Sequence, residues 1–287
     1  MPAAAFDQAE DDQAADGAEP VSWSVDYAGA TYQGEVRSSQ QDAILADGTV
    51  AVADGASLAG HPQLAPDALL LLGVIDGMGG HLGGAHAAAI AATDLAAADP
   101  QHILNDPALE LAEVSHRILR AGRVWGTPQM GCAAALLVLG PTGAVSLNVG
   151  DCRSYQVSAP AETPADASDQ GAHRAAPPAA GLAQLSFDDR LPGPLAHVLT
   201  QCLGGPPRLL DVHRHRVEHL GRSPIRYLIC SDGLHGALSP AIIGRAAAPG
   251  QSPAEAVQRL ARLAEPLSQD NFSILVADVH FQTAAAG

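Results

Sequence analysis

Lysine is absent from this chain of 287 residues: all 15 basic side chains are arginine, set against 31 acids, and the formal net charge is −16. Beside the abundant alanine, the missing lysine reads as a bias of codon composition, and no function is drawn from it. A surface this acidic repels nucleic acid and anionic membrane, which excludes roles that depend on either. Cysteine is sparse. Cys132, Cys152, Cys202 and Cys230 lie far apart without a CxxC pair, as expected of small hydrophobes buried singly in apolar strands. No stretch approaches the roughly 18 apolar residues of a membrane span. The opening MPAAAFDQAEDDQAADGAEP has neither a basic n-region nor an apolar h-region, so no signal peptide is expected. Together these absences point to a reducing cytoplasm. There is no internal repeat.

With 47% hydrophobic residues, the chain can bury the core of one large domain or two small ones. Its organising stretch is LLLLGVIDGMGGHLGGAHAAAIAA, Leu69 to Ala92. A short apolar run ends in Asp76, a glycine-rich turn follows, and an alanine-rich run begins at Gly83-Gly84; this reads as strand, loop, helix. The glycines let backbone come close to a ligand. A dinucleotide pyrophosphate at the helix start is one candidate for such a turn. Asp76 speaks against it, because a carboxylate repels pyrophosphate without an intervening cation, and the 77/79/83 spacing is looser than G-x-G-x-x-G. The other candidate is a metal site with Asp76 as a ligand, which needs further carboxylates.

Residues 1–22 read as a flexible acidic tail and 23–281 as the folded domain. Trp23 to Tyr32 has the alternation of an edge strand. A polar turn, Gly34 to Asp42, precedes a second strand, Gly48 to Asp54, and Gly55 to Asp67 reads as a surface loop. Asp106-Pro107 begins a helix carrying Leu111, Val114 and Ile118 on one face, with Arg117, Arg120 and Arg123 toward its C-terminal end. Gly131 to Leu139, Ala144 to Val149 and Arg153 to Val157 read as an antiparallel meander. Ser158 to Ala180 reads as a mobile loop. Between Leu209 and Leu220, His213 and His215 share a strand face with arginines alternating; no nearby acid or cysteine completes a metal set, and a solvated strand fits better. Ile225 to Cys230 is a buried strand ending at Asp232. Helices start at Ser239-Pro240 and at Ser252-Pro253, the latter with a capping box to Glu255. The last strand runs from Phe272 to Val279.

Four acids, Asp76, Asp151, Asp232 and Asp270, thus stand at strand ends or tight turns. Each alone is an ordinary turn aspartate. Packed side by side they need a cation or a raised pKa, and an all-oxygen set suits Mg²⁺ or Mn²⁺.

The blocks GEVRSSQQDA, VIDGMGGH, GCAAALLVL, LNVGDCRSY, LTQCLGG, LICSDGL and SQDNFSILVADV resemble, in order, those of the metal-dependent protein phosphatases of the protein phosphatase 2C family in their bacterial form. The resemblance implies an α+β fold: a central sandwich of two antiparallel β-sheets flanked by helices, four layers αββα. It implies hydrolysis of phosphoserine and phosphothreonine by a metal-activated water at a binuclear Mg²⁺ or Mn²⁺ centre. By that resemblance Asp76 bridges both metals, the Gly77 carbonyl binds one, Asp232 and Asp270 hold the other, and Asp42 orients water beneath them. Asp151 matches the acid that helps bind a third, weaker metal in bacterial members. Arg37 grips the phosphate, and His81 protonates the departing serine oxygen. Phosphorylated proteins are the implied substrates, with a cognate serine/threonine kinase as counterpart.

The chain departs from the pattern in three places. Gln40 and Gln41 replace the usual Asn-Glu or Asn-Gln before Asp42, and Cys152 replaces a serine. About ten residues stand where the family inserts a longer flap between Asp189 and Leu199. These departures keep open a phosphatase-fold binding module that recognises phosphoproteins without turnover.

Overall fold

The computed structural model describes residues 22–79, 81–159, 181–195, 197–205, 209–219 and 224–282. The expected tail, apart from Ser22, and most of the loop from Ser158 to Ala180 lie outside these residues.

The chain opens with strands β1 (Ser22–Tyr32), β2 (Asp42–Ala46), β3 (Thr49–Ala51), β4 (Ser57–Gly60), β5 (Gln63–Leu64) and β6 (Leu70–Met78). Helices α1 (His81–Ala97), α2 (Pro100–Asn105) and α3 (Pro107–Trp125) follow. Strands β7 (Gly131–Gly140), β8 (Gly143–Val149), β9 (Arg153–Val157), β10 (Leu182–Gln184), β11 (Leu203–Gly204), β12 (His213–Glu218) and β13 (Ile225–Cys230) come next. Helices α4 (Asp232–Ala237), α5 (Pro240–Ala246) and α6 (Pro253–Ala264) lead into β14 (Phe272–Gln282).

Two antiparallel sheets result. The first has the order β10-β9-β13-β14-β1-β4, with β5 also on β1; the second has the order β12-β8-β7-β6-β2-β3, with β11 on β7. Trp23, Val25 and Leu275 of the first meet Ile44, Leu72 and Val74 of the second in a core between the sheets. Helices α1 to α3 cover the outer face of the second sheet, and α4 to α6 that of the first. The four-layer αββα sandwich is as expected.

Local chemistry accounts for the parts that aim the site. Strand β6 lies between β2 and β7, covered by α1 on one face and by the first sheet on the other, so its residues are apolar without alternation. Ala87, Ala88, Ala91 and Ala92 are buried on α1, and their small side chains let the helix lie close to the sheet. Helix α3 starts where Asp106 accepts the Leu109 N–H at 3.0 Å, and it stops at Gly126 in the left-handed conformation. Helix α6 has the expected capping box between Ser252 and Glu255 and buries Val257, Leu260, Ala261 and Ala264. In the first sheet Arg226, 2% exposed, donates two hydrogen bonds to its cross-strand neighbour Asp278 and others to the carbonyls of Ala247, Ala248 and Gln251. That fork ties the α5–α6 connection to β13 and β14.

Four expectations are corrected. β1 is not an edge strand: β14 pairs one side and β4 and β5 the other, and its small residues Ser24, Ala28 and Gly29 fit between packed layers. The strand expected at Gly48 to Asp54 is the short β3, preceded by the fully buried β2, of which only Asp42 falls in the expected polar turn. Between them Asp47 and Gly48 both take positive φ, 49° and 72°, the two-residue hairpin geometry that an Asp-Gly pair favours. The stretch Gly55 to Asp67 contains β4 and β5 rather than loop alone. The expected meander is broken, since β7 pairs with β8 but β9 pairs with β10 and β13. The chain passes from one sheet to the other through Gly150-Asp151-Cys152.

Candidate active site

Crossing between sheets at that point gathers the acids. Asp42 and Asp76 are cross-strand partners on β2 and β6 of the second sheet. Asp232 follows β13 and Asp270 precedes β14, both in the first sheet, and Asp151 stands at the crossover. Asp76, Asp151, Asp232 and Asp270 line one cavity of about 700 Å³, with Arg37, Ser38 and Ser39 at one side and 197–202 at the other.

The end of β6 and the turn after it require their glycines. A Cβ on Gly77 would collide with the carbonyls of Gly84 and Gln41, and Gly77 donates its N–H to the Gln41 carbonyl at 3.1 Å. Gly79 has φ of 119° against the backbone of Met130. Helix α1 begins at His81, two residues before the expected Gly83; the His81 side chain lies outside the described residues.

Burial is the first cause of the unusual acidity here, and mutual repulsion the second. Asp76 is pushed well above the usual carboxylate range by burial and then by Asp42, Asp232, Asp151 and Asp270. Asp42 rises to about 7 through burial, partly offset by hydrogen bonds that its Oδ2 accepts from Ser231 at 2.7 Å and Ser273 at 2.8 Å. Asp151 rises to about 6, again through burial, with Asp232 raising it further and Arg190 lowering it. Asp232 is raised by burial and by Asp270, with Arg190 and a hydrogen bond to Asp76 acting the other way.

Among the described residues no group of three ligating side chains is already gathered tightly enough to hold a metal ion. The donor chemistry nevertheless fits a hard cation. Asp232 Oδ1 is buried and meets no N–H or O–H donor, the cavity acids offer only oxygen, and a cation would remove their repulsion.

The two glutamines before Asp42 have structural work. Gln40 accepts the N–H groups of Gln41 and Asp42 at 2.8 and 3.0 Å and donates to Thr31 Oγ1, while Asn271 accepts the Gln41 N–H at 3.0 Å. The long side chain of Gln40 closes the turn itself, so it holds the strand that carries Asp42. Arg37, half-exposed, forms an ion pair with Asp270. The expected phosphate grip and one expected ligand therefore touch each other.

Several participants escaped the sequence reading. Ser231 and Ser273 hold Asp42; a signal for the second was a lone hydroxyl inside the apolar run of β14. Arg190 pairs with Asp151, with Nε 2.8 Å from Oδ2, and neutral His235, its pKa lowered to about 4 by burial, donates to the Asp151 carbonyl at 3.0 Å. Asp189 accepts from Gly150, Gln201 and His213, so His213 is a half-buried hydrogen-bond partner at the start of the otherwise largely exposed β12. Cys132, Cys152 and Cys230 are buried as expected, whereas Cys202 is partly exposed on the cavity wall.

No family model matches the chain, and no curated protein matches it. The likeness is to solved structures. PppA, "a key regulatory component of T6SS in Pseudomonas aeruginosa", is 23% identical, with 90% of this chain and 98% of that one covered at a TM-score of 0.66. The Mycobacterium tuberculosis serine/threonine phosphatase PstP/Ppp is 23% identical over 89% of this chain and 98% of its own, with a TM-score of 0.65. The PstP catalytic domain in complex with two manganese ions is 22% identical over 90% and 99%, with a TM-score of 0.65. The fold is that of the protein phosphatase 2C-type bacterial serine/threonine phosphatases. Within this phosphatase fold the expected short flap is a hairpin: Arg190 pairs with Leu199, and the Leu191 N–H meets the Val198 carbonyl at 3.0 Å. Val198 and Leu199 form part of the cavity wall.

Proposed function

We propose that the chain is a protein serine/threonine phosphatase that hydrolyses phosphoserine and phosphothreonine at a binuclear Mg²⁺ or Mn²⁺ centre. The observation that carries this reading is the convergence of buried carboxylates from both sheets on one cavity with Arg37 at its rim. Asp76, the Gly77 carbonyl, Asp232 and Asp270 would hold the two cations. When bound, hard cations supply charge neutralisation and a more acidic water. Asp42, fixed from below by Ser231 and Ser273, would orient the attacking water. Arg37 would leave Asp270 for the phosphate, to which a planar guanidinium can give two parallel hydrogen bonds. His81 at the start of α1 would supply the proton to the leaving oxygen. The substrates would be phosphorylated proteins, counterbalanced by a cognate kinase, in a cytoplasmic setting. No helix among the described residues is long and apolar enough to cross a membrane.

One observation favours the second reading, a phosphoprotein-binding module: Arg37 and Asp270 occupy each other and the acids are not gathered into a ligand set. Phosphopeptide hydrolysis measured with and without Mn²⁺ separates the two. Turnover that requires Mn²⁺ and disappears in Asp76→Asn and Asp232→Asn supports the phosphatase. Binding of phosphopeptide by folded protein without any release of phosphate in Mn²⁺ supports the module.

A further inference from the structure

The carboxylate of Asp151 already has a cation, and the chain supplies it. Arg190 Nε lies 2.8 Å from Asp151 Oδ2, with the two side chains 23% and 10% exposed. Nε is off the line of a hydrogen bond, so the attraction is one of charge. Arg190 is held there by its backbone. The residue before it, Asp189, accepts the Gly150 N–H through its carboxylate and the Thr200 N–H through its carbonyl, the latter at 2.8 Å, while Arg190 itself pairs with Leu199 at the foot of the short hairpin. The alternative carboxylate is taken. Asp188 lies 3.9 Å from Arg190 Nε but is gripped by a fork from Arg153, whose Nε and Nη2 lie 2.9 and 2.6 Å from it.

We infer that Arg190 stands in for a third cation at Asp151, so that the site holds two divalent ions and Asp151 ligates neither. A divalent ion on Asp151 would have to displace a guanidinium whose hairpin is anchored on both strands, or sit against it as a like charge with little water between them. The same contact gives the hairpin its place. The short hairpin is fastened to the floor of the cavity through Arg190. The inference rests on the reading that the other acids bind cations.

Counting Mn²⁺ by titration calorimetry and by electron paramagnetic resonance of the free ion tests it without reference to activity. Wild type should bind two ions per chain, and Asp151→Asn should bind two with the same affinities. Arg190→Gln should gain one ion, and the gain should vanish in the Arg190→Gln/Asp151→Asn double variant. Arg190→Lys, which keeps the charge, should stay at two and guards against misfolding of the glutamine variant. Three ions in wild type with one lost in Asp151→Asn overturns the inference and leaves the phosphatase reading intact; so does a folded Arg190→Gln that gains nothing. Wild type that binds no Mn²⁺ overturns the cation reading itself, and the inference with it.

Discussion

Replacing Asp42 by asparagine should stabilise the metal-free protein, and by an amount that depends on pH. In the folded chain the carboxyl keeps its proton up to about 7, against 3.8 for an unburied aspartate. Between those values unfolding releases a proton, so stability falls as pH rises and the loss is complete above about 7. That difference is worth about 4 kcal/mol, since each unit is worth about 1.4 kcal/mol. Asparagine has the same shape, can accept the Ser231 and Ser273 hydroxyls through its carbonyl, and carries no charge to repel Asp232 and Asp270. At pH 5.5 wild type has lost only about half of the 4 kcal/mol, so the advantage of Asp42→Asn at pH 8 should exceed that at pH 5.5 by about 2 kcal/mol. Relief of repulsion on Asp76 acts in the same direction. Urea unfolding of both proteins in EDTA at the two pH values measures it. An equal advantage at both, or a less stable variant at pH 8, refutes the claim that Asp42 is buried at a cost.

Three further outcomes are expected. Arg37→Lys should lower kcat/KM on phosphopeptide by about 10–150-fold, the loss of one charge-assisted hydrogen bond of about 1.5–3 kcal/mol; unchanged kinetics would make Arg37 only a surface partner of Asp270. Asp278→Ala should destabilise the protein by about 3–5 kcal/mol in urea unfolding, because it strands the Arg226 guanidinium in the core; a loss under about 1 kcal/mol would mean that the carbonyls of Ala247, Ala248 and Gln251 suffice. His81→Ala should reduce phosphopeptide turnover by about 10²–10⁴-fold and p-nitrophenyl phosphate turnover far less, since nitrophenolate leaves without a proton. Equal losses on both substrates would place the acid elsewhere.

The acids were legible because each stands where an apolar run stops: Asp76 after Leu70 to Ile75, Asp232 after Ile225 to Cys230, Asp270 before Phe272. Runs of that kind mark strands covered on both faces, and their ends mark where backbone meets solvent. Strand β2 was not legible, since the four apolar residues behind Asp42 are too few to show a period, though Asp47-Gly48 announced its hairpin. The crossing of the chain between sheets at Asp151 left no local trace either. Strands β7, β8 and β9 look alike in sequence, and only the pairing of β9 with β13 sets it in the other layer. Arg190 was hidden for a similar reason, because its partner is 39 residues away and the intervening stretch has no pattern.

Asp42 and Asp76 belong to one sheet, Asp232 and Asp270 to the other, and the cavity is the seam where the two sheets face each other. The separation of the two pairs is consequently set by the thickness of the layer beneath them, by Leu72 and Val74 against Leu275 and Ala277. A substitution there that changed side-chain volume without touching any acid would open or close the seam, and would change the spacing of the acids from a distance. The hydrophobic core of this protein is in that sense the gauge of its acidic cavity.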